Sequence, residues 1–249
     1  MSRTAYYDIL QKGLPETIRV QRLVHGVSWT AAVLSDGRCG VAMHTEGDGA
    51  ERMFPALEGL SVAEAGRAIL SWNLEEASEA FAAVNAFYNT PDRACGDRDV
   101  KTLDGIDLSG RTVGMVGYMI GHSNITAELL APAKKVWICD REDKPGALPD
   151  SAGEFFLPDC DLVIITGSAA INKTLPRLLE LSRSAEIILC GPSVSCCPGL
   201  LELGIKRLNG RVITEPEPML AAIPQKRMSV NEWSLPFQMP EETTPGRRS

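Results

Sequence analysis

The sequence predicts an α/β protein in two parts, a small α+β unit followed by a parallel sheet with helical crossovers. Two observations carry that expectation. Residues 18–43 hold three short strand-like runs, two of them joined by a tight-turn signal. From residue 113 onward, four wholly apolar runs alternate with helix-compatible stretches. Strands that are apolar on both faces and separated by helices are covered on both sides, the pattern of a parallel sheet.

Residues 18–24 alternate apolar and polar side chains, as a half-buried strand does. Residues 29–34 form a second β-rich run, Ser35-Asp36-Gly37-Arg38 is a turn with Asp-Gly at its centre, and residues 39–43 return. The three make an antiparallel meander. Ser61-Val62-Ala63-Glu64 reads as a capping box opening a helix that runs to about Leu70. A second helix starts near Asn73, with Glu75 and Glu76 in the first turn, where the macrodipole favours carboxylates. Its apolar residues Ala77, Ala80, Phe81, Val84, Phe87 and Tyr88 recur at helical spacing, and it ends before Thr90-Pro91. Residues 90–110 turn polar and rich in Asp, Gly and Arg, as a linker does. Strands are then expected at 113–116, 136–139, 162–165 and 187–190, with a fifth at 211–213, and helices within 124–130, 174–181, 200–203 and 217–223. Beyond Pro224 the periodicity stops, and Pro236, Pro240 and Pro245 stand among polar residues. The expected division is a cap over 1–92, a linker over 93–110, a binding domain over 111–224 and a flexible tail over 225–249.

Composition narrows the function classes. The chain has 249 residues, 44% of them hydrophobic and 23% charged, with a net charge of -7. That composition suits a soluble globular protein, and the scattered Lys and Arg argue against nucleic acid. No apolar run reaches the roughly 20 residues of a membrane span, and no signal-peptide stretch opens the chain. A cytoplasmic protein without a membrane partner is the expectation. Seven cysteines, an odd number without a secretory signal, do not read as a disulfide framework.

Several constellations stand where chemistry is expected. Gly114, Gly117 and Gly121 follow an apolar strand and precede His122, and such a loop lets backbone amides approach an anionic or polar ligand. Val116 holds the place of the second glycine of a dinucleotide loop, so the fingerprint is incomplete. Asp140 ends the next strand, near the spacing at which a carboxylate meets a ribose. Thr166, Gly167 and Ser168 end a third strand, and Gly191 follows a fourth, all at the edge where open α/β sheets bind ligands. Asn172 serves equally as a helix cap or a ligand contact. His122 is the best single acid, base or metal ligand, with a polar helix-start role as its plain alternative. Cys196-Cys197 offers soft thiols, although adjacent side chains point apart and zinc sites usually space their cysteines further. His25 and His44 flank the first strands as surface polar residues, sharing a cleft only if the two parts fold toward each other.

Residues 113–122, 161–174 and Gly191-Pro192-Ser193 resemble the C-terminal signature of the putative heavy-metal chelation family. Gly26-Val27-Ser28-Trp29-Thr30-Ala31-Ala32, Asp36-Gly37-Arg38-Cys39-Gly40 and residues 83–89 are similar to the domain that usually precedes it. The resemblance implies an enolase N-terminal-like cap followed by a Rossmann-like domain. It also implies a site in the cleft between them, with Gly117, His122, Asp140, Thr166, Asn172 and Gly191 on one side and Asn85 or Asn89 reaching in from the cap. The function expected on this basis is binding of a heavy-metal ion or a metal-chelating small molecule, with His122, Cys196 and Cys197 as candidate metal ligands. The alternative is an enzyme of transferase or isomerase type using a nucleotide-like cofactor at the glycine loop. Cys196-Cys197 matches no family motif, and a homodimer is a further expectation.

Overall fold

The computed structural model describes residues 2–46, 49–122, 125–225 and 227–240. It opens on a helix absent from the sequence expectations, α1 (Ala5–Lys12), which buries Tyr6, Tyr7 and Leu10. The meander follows as β1 (Val20–His25), β2 (Trp29–Leu34) and β3 (Cys39–Met43), antiparallel in that order. α2 (Val62–Ala65) carries the capping box, in which Ser61 accepts from the Glu64 amide and Glu64 accepts from the Ser61 amide. A 3₁₀ turn then ends at Leu70, as expected. α3 (Leu74–Tyr88) begins at Asn73, whose side chain accepts from the Glu76 amide.

The larger sheet has seven strands: β4 (Thr112–Val116), β5 (Lys135–Asp140), β6 (Leu148–Pro149), β7 (Leu162–Thr166), β8 (Glu186–Cys190), β9 (Ile205–Ile213) and β10 (Ser234–Pro240). Their order is β10-β9-β8-β7-β4-β5-β6, parallel throughout except for β10. The helices are α4 (Ala127–Leu130), α5 (Gly153–Phe156), α6 (Ser168–Ile171), α7 (Leu175–Leu181) and α8 (Pro216–Ala222). The α/β class holds: a mostly parallel sheet joined to a small antiparallel one. Among the described residues no helix is long and apolar enough to cross a membrane.

Three expectations change. Residues 211–213 are only the end of a nine-residue strand, because Asn209 and Gly210 hide its first half from an apolar search. Residues 93–110 do not hang free between parts, since Leu103 and Leu108 are buried with Val113, Met115 and Ile164 on one face of the large sheet. The tail is not structureless over 234–240. It pairs with β9 as an antiparallel edge strand, and prolines are tolerated at an edge because no neighbour needs their missing amides. Residues 241–249 lie outside the described residues, as does Asn124 of the helix expected over 124–130.

The two sheets share one core. Ala32, Ala42, Phe81 and Val84 from the N-terminal part pack in the same cluster as Val163, Ile165 and Leu189 of the large sheet. A separate cluster closes the outer face of the meander against α8, with Ala31, Val41, Met219, Leu220 and Ile223. There Gly26 is required by close approach, for a β-carbon on it would lie 2.1 Å from the Ile223 carbonyl oxygen. Trp29 adds a bond from Nε1 to the Met228 carbonyl at 2.8 Å.

Phe237, on β10, is buried beneath Gly210 in the shared core. Phe237→Ala is expected to destabilise the protein by about 3–5 kcal/mol, the usual loss for a buried phenylalanine, read by denaturant titration. A change below about 0.5 kcal/mol, the range of surface substitutions, would mean that this segment does not dock in solution.

Candidate functional site

The chain runs outward from β4 to β5 and β6, then returns to the other side of β4 to continue through β7, β8 and β9. The order therefore reverses between β4 and β7, and open α/β sheets bind ligands beyond the C-terminal ends of the strands at such a reversal. Gly117 and Gly167 follow those two ends. Gly117 has φ of +88°, and a β-carbon there would lie 2.8 Å from Thr166 Cγ2, so only glycine fits. Sequence reasoning thus placed the sheet edge correctly, but several of its residues are occupied. Both Asp140 oxygens accept backbone amides, Oδ2 from Tyr118 at 2.6 Å and Oδ1 from Glu142 at 2.8 Å. Through these bonds Asp140 shapes the glycine loop. Thr166 and Ser168 bond each other through their hydroxyls at 3.1 Å. Asn172 forms an Asx turn, accepting from the amide and hydroxyl of Thr174, the residue that precedes α7. Gly114 is buried inside β4, whereas Gly121 and His122 lie exposed in the following turn.

Asn85 and Asn89 do reach the sheet edge, as tethers. Asn85 donates to the Val41 carbonyl at 2.8 Å and accepts from the Ser195 hydroxyl. Asn89 donates to the carbonyls of Val194 and Arg211 and accepts from the Cys196 amide at 2.7 Å. These bonds clamp the loop after β8 onto α3, and both side chains are buried. The same loop buries Cys196 and Cys197. Burial pushes the Cys196 thiol up to about 12 and raises Cys197 as well. A thiol must lose its proton to bind a metal, so ligation here would release protons. His122 stands apart from any donor cluster.

The donors converge elsewhere. His25 at the end of β1 and Glu75 and Glu79 on one face of α3 place a ring nitrogen and two carboxylate oxygens within 4.8 Å of one another. This is the single group of three or more His, Cys, Asp or Glu donors with such spacing among the described residues. Glu79, with its side chain 4% exposed, lies 3.1 Å from His25 Nε2 and takes a two-pronged bond from Arg52. His44 stands edge-on to His25 with ring centroids 6.1 Å apart, and its Nδ1 lies 3.0 Å from the Thr30 hydroxyl. One turn away from the cluster, the buried Glu76 accepts the amides of Met53 and Phe54, both at 2.8 Å, which fixes the segment carrying Arg52. Burial alone would raise the pKa of Glu79. The bonds from His25 and Arg52 outweigh it and hold the carboxyl below its ordinary range.

Two family profiles, each described as "Putative heavy-metal chelation", match residues 7–88 and 103–227, the second covering half of the chain. The chain belongs to the putative heavy-metal chelation family. A protein with unknown function from the DUF364 family of Desulfitobacterium hafniense DCB-2 superposes with a TM-score of 0.82 at 29% identity, over 96% of this chain and 98% of that one. Another DUF364 protein with unknown function, from Pyrococcus horikoshii, has a TM-score of 0.75 at 21% identity over 96% and 100% of the two chains, and shares the fold. No curated protein matches the chain significantly in sequence. The sequence signal that could have found the cluster was modest: Glu75 and Glu79 four apart on a helix, and a histidine ending a strand that packs beside it.

The bond to Glu79 is the largest influence on His25 and raises its pKa above the ordinary 6.5, against an opposing effect of burial. A histidine with a raised folded-state pKa stabilises fully below its unfolded value and loses that contribution as pH rises through the folded value. The melting-temperature difference between wild type and His25→Asn is therefore expected to be largest near pH 6 and to shrink toward pH 8. A pH-independent difference would show that the His25–Glu79 contact is absent in solution.

Proposed function

We propose that this protein binds a divalent transition-metal ion through His25, Glu75 and Glu79. The convergence of those three donors within 4.8 Å carries the reading, and the family description supplies the matching chemistry. One imidazole and two carboxylates suit zinc, nickel or ferrous iron better than the softest thiophilic ions. Three protein donors also leave a fourth position for water or a small ligand, as catalytic and transport sites do. In the metal-free arrangement Arg52 neutralises Glu79, so an incoming cation takes over a charge that is already compensated. The cluster lies where the end of β1 meets α3.

A second reading is a small ligand at the sheet edge, favoured by the reversal of strand order between β4 and β7.

Calorimetry with zinc tests the first reading. Wild type is expected to bind one equivalent. His25→Ala and Glu79→Gln are expected to lose more than the roughly 10- to 100-fold that a supporting residue contributes. Affinity should fall with decreasing pH, because His25 must release a proton whose pKa lies above 6.5. Equal binding by wild type and both variants, or loss only on converting Cys196 and Cys197 to serine, would overturn it.

A further inference from the structure

A different set of residues, on the opposite side of β9 from the shared core, forms a second site. Cys190 on β8 stands opposite Asn209 on β9, which stands opposite Gln238 on β10, and Arg211 stands opposite Pro236. Asn209 and Arg211 are two apart on one strand, so their side chains share a face. The chain through Thr102 covers that face. The Thr102 carbonyl accepts from Asn209 Nδ2 at 2.8 Å, and its hydroxyl lies 3.5 Å from Cys190 Sγ. Between them opens a small recess, open to solvent, lined by Cys190, Gly191, Asn209, Arg211 and Gln238 among others. Gly191 has φ of +112° and only open space where a β-carbon would stand, which keeps the mouth clear.

Two groups in this recess lack partners. Arg211 is 7% exposed, yet among the described residues its guanidinium makes no hydrogen bond and faces no carboxylate. Neighbouring Arg207 donates to the carbonyls of Thr102 and Asp104. Asn209 is 5% exposed, and its Oδ1 is buried without a hydrogen bond, while the bond from Nδ2 to Thr102 fixes which end of the amide it is. Burial disfavours the charge on Arg211 most, neighbouring Cys190 offsets part of that, and the charge of Arg98 adds to it. A guanidinium keeps its proton regardless, so an uncompensated fork of donors faces the recess. An unpaired buried charge is disfavoured unless something pairs with it, and the planar fork matches an oxyanion.

We propose that this recess binds a phosphate group, with Arg211 donating to two of its oxygens and Asn209 Oδ1 accepting from a protonated third. The reading is independent of the metal cluster, with which it shares no residue.

The test is titration of the full chain with inorganic phosphate, and separately with phenyl phosphate, at constant ionic strength set by chloride. Binding is followed by calorimetry and by the melting temperature. Either phosphate is expected to bind wild type and raise its melting temperature. Arg211→Gln should weaken binding at least 10-fold and abolish the shift, Arg211→Lys should weaken it less, and zinc binding should be unchanged in both. Tighter binding of inorganic phosphate marks a site for the free anion, and tighter binding of the ester marks a site for a phosphorylated molecule. No binding by wild type at about 10 mM, or equal binding by wild type and Arg211→Gln, would overturn the proposal. Should Arg211→Gln fail to fold, the wild-type titration and Arg211→Lys decide alone.

Discussion

The burial of α3 is the constraint on which the rest of this structure depends. Eleven of its fifteen residues are buried, including Glu76, Glu79 and Asn85. Polar groups taken out of water require partners, and here each partner belongs to a different piece of chain, which the bond holds in place. Glu76 takes two amides and pins residues 53 and 54. Glu79 draws Arg52 and His25 together. Asn85, with Asn89 just past the helix end, binds the loop after β8. One helix therefore sets where the meander, the Arg52 segment and the edge of the large sheet meet.

Much of that framework was legible. The capping box at Ser61–Glu64, the Asn73 cap and the alternation of apolar runs from residue 113 are local signals, each read within a window of a few residues. What escaped were features decided by distant contacts. Residues 234–240 look unlike a strand because of Pro236 and Pro240, and become one only because β9 leaves an edge for them. His25 lies 50 residues from Glu75 in sequence, and nothing in either segment announces the other. On a helix, Glu75 and Glu79 read as a solvated pair until the fold buries one of them. Asp140 and Asn172, residues of a type and spacing that suit a ligand contact, hold backbone amides with their side chains.

Burial also sorts the candidate metal donors. Apolar surroundings hold thiols protonated, and the two adjacent cysteines occupy such surroundings, whereas a carboxylate beside an arginine stays ionised there. A chain with seven cysteines thus offers its ready-made anionic ligands on glutamates.

The edge strand has one more consequence. The Pro236 carbonyl turns away from β9 and is taken by the Cys95 amide at 2.7 Å. Pro240 lies four residues further along and so points the same way. Gln238 between them uses its side chain on the Lys101 carbonyl. The outward side of β10 therefore lacks an amide at two of its four outward positions, and the chain through residue 95 already lies across it. A strand from a second molecule would find too few donors there to continue the sheet. On this side the protein is guarded against stacking into ribbons or fibres, and any assembly must use side-chain surfaces instead.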